Sequence, residues 1–147
     1  MTVRPAQVAV LRSVLVGDED AFERLTADLE AAVDRGFPVL IAAAFVAAAR
    51  RRFPPGWSEG DVVRFVGQIR ARSQGAADLS ATAAEQLLFS ALRGTPVGGH
   101  LDDITKGFTQ GALLTQLATD LTDQELSTFL AEVREQADAW LAQYSGQ

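Results

Sequence analysis

The chain has 147 residues, 48% hydrophobic and 22% charged, with 13 basic side chains against 19 acidic ones. Length and balance specify about one globular domain and exclude a disordered chain, and the net charge of −6 excludes nucleic-acid binding across the whole surface while leaving room for a local basic patch. The absence of cysteine removes disulfides, thiolate zinc sites, iron–sulfur clusters and cysteine nucleophiles, and a single histidine removes most histidine-based metal and acid–base chemistry.

Almost every periodic segment has the spacing of a helix. The first predicted helix starts at Pro5, a residue suited to a first helical position, carries Val8, Leu11 and Leu15 on one face and stops at Gly17. Asp18 caps a second helix with Glu19 and Asp20 in its first turn; Phe22, Leu25, Leu29 and Val33 form its apolar stripe and Gly36 closes it. The third, from Pro38 to about Phe53, is apolar nearly all round and is expected to be the central, most buried helix. Pro54, Pro55 and Gly56 stop it.

Ser58 caps the fourth helix with Asp61 three residues on, much like a capping box, and Val62, Phe65, Val66 and Ile69 line its inner face. Gly75 and its small neighbours make a loop. A fifth helix begins near Ser80, uses Leu87, Leu88, Ala91 and Leu92, and ends before Gly94. Thr95 to His100 is read as the most flexible interior loop. The sixth helix covers roughly Leu101 to Asp120, and Gly107 and Gly111 within it predict a break, because each costs about 1 kcal/mol against alanine. Thr122 and Glu125 form a second capping box ahead of a last helix whose Leu126, Phe129, Leu130, Val133, Ala137, Trp140, Leu141 and Tyr144 share one face. The expected fold is all-α: a single compact bundle of six to seven helices over residues 1–147.

The two capping boxes lead into helices that match. At an offset of 64, Ser58 falls on Thr122, Asp61 on Glu125, Val62 on Leu126, Phe65 on Phe129, Val66 on Leu130, Ile69 on Val133 and Arg70 on Arg134. The preceding helices also match once Pro54, Pro55, Gly56 and Trp57 are skipped. One explanation is a duplicated unit, residues 5–75 and 80–145, related by a pseudo-twofold axis. The other is that capping and a 3.6-residue period dictate similar residue classes anywhere. Under either, Arg50, Arg51 and Arg52 face Ala118, Thr119 and Asp120, so the first unit alone carries that arginine run and the Pro-Pro-Gly-Trp turn.

The most membrane-like stretch, Phe37 to Ala49, is 13 residues long. As a helix it spans about 20 Å, short of the roughly 30 Å of a bilayer core, so a buried helix is expected and no membrane. The N-terminal run shows no secretory signal, since Arg12 interrupts it, and the cytoplasm is the expected location. Twelve of the 13 basic residues are arginine, a usage that fits a GC-rich bacterial genome.

Charge is unevenly placed: residues 50–72 hold six arginines against two acids, whereas both flanking regions are acidic. Arg50, Arg51, Arg52, Arg64, Arg70 and Arg72 therefore cluster around one turn. As structure they are solvated helix ends, three of them well placed against a helix dipole. As function they are a basic face for phosphate, nucleic acid or an acidic protein, because the guanidinium fork grips oxyanions in bidentate fashion. Helix–turn–helix DNA binding fits poorly, because the fourth helix offers few polar base readers. Trp57 either caps the turn by packing back on the core or anchors a partner; tryptophan and arginine are the usual hot-spot residues. Trp140 and Tyr144 suggest packing within the chain or in a homo-oligomer. His100, near Asp102 and Asp103, lacks enough neighbours for a metal, and Lys106-Gly107 lacks the spacing of a phosphate-binding loop.

No nucleophile–base pair and no paired carboxylates across a recognisable cleft are found, and no cofactor or metal is expected. The sequence is therefore read as a non-enzymatic interaction or adaptor protein docking an unknown protein partner through Arg50, Arg51, Arg52, Trp57, Arg64, Arg70 and Arg72. Two alternatives stand beside it: a nucleic-acid or phosphate-ligand binder using the same arginines, and a small-molecule carrier or enzyme with an apolar pocket between helices.

Overall fold

The computed structural model describes residues 3–29, 36–72, 79–95 and 102–145. These residues form seven α-helices and no strand: α1 (Pro5–Val16), α2 (Glu19–Leu29), α3 (Gly36–Arg52), α4 (Glu59–Arg72), α5 (Ala81–Arg93), α6 (Asp103–Leu117) and α7 (Asp123–Ser145). The protein is all-α, as its periodicity predicts. None of the described helices is long and apolar enough to cross a membrane. The chain divides into two compact units, Met1–Ala44 with Ala118–Gln147, and Phe45–Leu117. The division falls within α3 and directly after α6.

In the first unit α1 packs against α2 and α7. Pro5 occupies the first turn of α1, and the Arg4 amide donates to Gln7 Oε1 at 2.9 Å, which explains why a polar glutamine is buried there. Val3 is fully buried, and its N–H donates to Asp138 Oδ1 of α7 at 2.6 Å. Gly17 takes the left-handed conformation that ends α1 (φ 75°), and Asp18 then accepts the Ala21 N–H to start α2. On α7, Leu126, Phe129, Leu130, Val133, Ala137 and Leu141 are buried, whereas Trp140 is half-buried. The predicted stripe of α2 is less clear-cut, because Phe22 is 39% exposed. Gly36 does not close α2 but is the first residue of α3. Val33, the loop around Gly75, and Pro96, Gly98, Gly99 and His100 lie outside the described residues.

In the second unit α5 packs against both α4 and α6. Val62, Phe65, Val66 and Ile69 of α4 are buried, together with Leu87, Leu88 and Ala91 of α5 and Leu113, Leu114 and Leu117 of α6. Ser80 caps α5 by accepting the Ala83 N–H at 3.2 Å, and Asp102 caps α6 by accepting the Thr105 N–H at 2.6 Å. The break expected at Gly107 and Gly111 is absent: α6 runs unbroken through both and ends at Leu117, short of Asp120. Burial of Thr109, Leu113, Leu114 and Leu117 holds it helical, so packing outweighs the low propensity of two glycines.

Candidate functional site

The candidate site is built from a turn. Phe53 still donates to the Ala49 carbonyl, and then two prolines, neither with an N–H to give, end the helix. The Trp57 N–H closes the turn on the Pro54 carbonyl at 3.2 Å. Pro55 sits where a type II turn takes its fixed φ, and Gly56 follows at φ 99°, a conformation that turn demands and a side chain resists. Ser58 then opens α4 with a complete capping box. Its N–H donates to Asp61 Oδ2 at 3.0 Å, and the Asp61 N–H donates to Ser58 Oγ at 3.2 Å.

This turn and the first half of α4 enclose a cleft of about 470 Å³. Its walls include Arg52, Trp57, Asp61, Arg64, Phe65 and Gln68, with the two prolines and Gly56 along the rim of the turn. All of them belong to the Phe45–Leu117 unit. Of the seven residues singled out in the sequence, Arg52, Trp57 and Arg64 are brought together here. Arg50 and Arg51 are exposed in the last turn of α3, Arg70 and Arg72 are exposed in the last turn of α4, and none of these four lines the cleft.

Each of the three gathered residues is held by neighbours. The Arg52 guanidinium carbon lies 5.0 Å from the ring centroid of Phe53 and 5.1 Å from that of Phe65. Those rings meet edge to face at 84°, with centroids 5.4 Å apart, so they form a corner against which the cation rests. Arg64 faces Asp61 across one turn of α4 at 3.5 Å. Trp57 is half-buried and stacks on Phe89 of α5, with centroids 6.1 Å apart and 24° between planes. It therefore packs back on the helices, one of the two roles its sequence context offers, and also lines the cleft.

Among the described residues that line the cleft Asp61 is the one acid, and its pKa is held below the usual carboxylate value. The Ser58 amide is the main cause; partial desolvation opposes it, and the Ser58 hydroxyl, Arg64 and Arg52 add to the lowering. Both signs of charge are therefore present in the cleft at neutral pH.

Sequence reasoning missed Arg93, Glu59 and Phe89. Arg93 lies 4.8 Å from the Phe89 centroid and 5.6 Å from that of Trp57, and it pairs with Glu59 at the start of α4. The Phe89–Arg93 contact is a local pair one turn apart on α5, but nothing local signals the link to Glu59 and Trp57, which lie more than thirty positions away. Among the described residues no group of three or more His, Cys, Asp or Glu side chains is arranged to hold a metal ion. No family model matches the chain, and no curated protein or solved structure matches it.

Proposed function

We propose that this protein is a non-enzymatic interaction module that docks a partner protein in the cleft beside the Pro-Pro-Gly-Trp turn. The observation that carries the reading is the convergence of Arg52, Trp57 and Arg64 on one concavity, from both ends of a proline-stiffened turn. Arginine and tryptophan on rigid supports are the residue types that dominate binding energy at protein interfaces. The mixed charge of the cleft favours a protein over a nucleic acid, whose phosphates call for a run of unopposed cations. The same reading takes the scaffold to be a duplicated helical unit able to form homo-oligomers. It sets the protein in a bacterial cytoplasm, in keeping with a chain rich in arginine and free of cysteine.

The test is a tagged pull-down from the source cells, with and without nuclease, read by mass spectrometry. Wild type is compared with an Arg52→Ala/Arg64→Ala double variant and with an Arg70→Ala/Arg72→Ala double variant. A protein retained after nuclease, lost with the first pair and kept with the second, is the expected result. Equal recovery by both variants refutes the cleft as the docking surface. Recovery that vanishes with nuclease transfers the function to nucleic-acid binding.

A further inference from the structure

We propose that the occupant of the cleft is an acidic peptide segment of the partner, with one carboxylate gripped by Arg52 and a neighbouring aromatic side chain set against Trp57. This rests on the docking function above and names the chemistry that the cleft selects.

The Arg52 guanidinium is a planar group with five N–H donors and no acceptor. Arg52 is exposed, and the buried rings of Phe53 and Phe65, set nearly perpendicular to each other, flank its guanidinium on the protein side. Among the described residues no carboxylate lies within ion-pair distance of it. A cation fixed by aromatic carbon, with its donor edge left for a ligand, is arranged for a bidentate oxyanion.

The other charges of the cleft decide which oxyanion. Arg64 pairs with Asp61, which Arg52 also attracts, so the two arginines and one acid together carry one net positive charge. One unit of net charge matches one carboxylate. A phosphate dianion would bring a second negative charge against the Asp61 carboxylate. Trp57 adds the apolar side of the recognition: its ring is braced by Phe89 and Arg93 and so offers a surface at low entropic cost. The volume of about 470 Å³ suits a few side chains rather than a whole folded surface.

The experiment uses the full chain carrying Trp140→Phe, which leaves Trp57 as the only tryptophan. Its fluorescence is titrated with the blocked peptide acetyl-Ser-Phe-Glu-Leu-amide, with the twin in which Glu is replaced by Gln, and with inorganic phosphate. Calorimetry on the unsubstituted chain repeats the two peptide titrations. Saturable binding of the Glu peptide is expected, with the Gln twin weaker by about tenfold or more, the scale of a lost charge-assisted hydrogen-bond pair. Arg52→Lys keeps the charge and loses the fork, so it should weaken the Glu peptide severalfold and leave the Gln twin unchanged. Phosphate should not displace the peptide at equal concentration.

Equal affinity for the two peptides, an Arg52→Lys variant as tight as the parent, or displacement by equimolar phosphate overturns the assignment. The peptide comparison needs no change to the arginines and stands even if their replacement unsettles the fold. If neither peptide binds while the Arg52→Ala/Arg64→Ala pull-down still loses its partner, the carboxylate assignment fails and the docking function survives. If the pull-down variants also match wild type, both fail.

Discussion

The helices α4 and α7 are built alike and equipped differently. Both open with a complete capping box, and the two boxes have the same dimensions: 3.0 Å from the cap amide to the acid and 3.2 Å from the acid's amide to the cap hydroxyl. Both bury the same four positions, Val62, Phe65, Val66 and Ile69 in one and Leu126, Phe129, Leu130 and Val133 in the other. Their remaining positions diverge. Where α4 has Arg64 and Gln68, α7 has Thr128 and Glu132, and where Arg52 precedes α4, Asp120 precedes α7. Two amphipathic helices can therefore share all that capping and burial require and still differ in the side chains they set around them, such as the Arg64 and Gln68 that line the cleft beside α4. The positions free of those requirements are where the two helices differ.

The sharpest way to break that comparison is to remove the aromatic each helix buries at the shared position. Phe65→Ala and Phe129→Ala should each cost roughly 3–5 kcal/mol in urea denaturation, as large-to-small changes in packed cores do. The losses should be similar in stability and unlike in binding. Phe65 also supports Arg52, so its loss should abolish partner capture under conditions where the variant remains folded. Phe129→Ala, assayed under equally permissive conditions, should retain capture. Equal loss of capture in both would make the cleft a passive consequence of overall stability.

A smaller effect tests the glycine of the Pro-Pro-Gly-Trp turn, which has no counterpart in the turn ahead of α7 that the Leu121 N–H closes on the Ala118 carbonyl at 3.1 Å. At Gly56 an added Cβ meets no atom within 4 Å, so the cost of Gly56→Ala is conformational alone. With φ at 99°, that cost should be about 1–2 kcal/mol. Partner affinity should fall with it, because the turn sets the distance between Arg52 and Trp57. The two caps come next. Ser58→Ala and Thr122→Ala should each cost about 1 kcal/mol, and their near equality would confirm that the two boxes are interchangeable as structure. A difference of more than about twofold would show that the cleft charges have altered the energetics of the first box.

Much of this was legible in the sequence because capping and burial are local rules. Pro5, Gly17, Ser58, Ser80, Gly94 and Thr122 mark helix ends within a residue or two, and the buried stripes of α4 and α7 follow from spacing alone. The continuity of α6 was not legible, since it depends on leucines packing elsewhere rather than on its glycines. At the site, the basic cluster was visible as composition, but its division was not. Arg52 and Arg64 are twelve positions apart and share a cleft only because the turn folds α4 back beside the end of α3. Arg70 and Arg72 lie as close in sequence to Arg64 yet sit at the far end of the same helix. Phe89 and Arg93 meet within α5, but the pairing of Arg93 with Glu59 depends on how α5 packs against α4.

The finest distinction concerns Asp61, which serves the cap and the cleft together. Its pKa is lower folded than in an unfolded chain, so its contribution to stability is fully present above the ordinary value of 3.8 and is lost as pH falls through the lowered folded value. Asp61→Asn should remove that part of the acid-side decline in urea denaturation followed from pH 6 to pH 2. The order of causes makes a further demand. If the Ser58 amide is the main one, the cap governs Asp61 and the cleft arginines only assist. An NMR titration of the Asp61 carboxyl in Arg64→Ala should then still show a lowered pKa. A return to the ordinary value would mean that Arg64 governs the acid, and that the first capping box depends on the cleft in a way the second cannot.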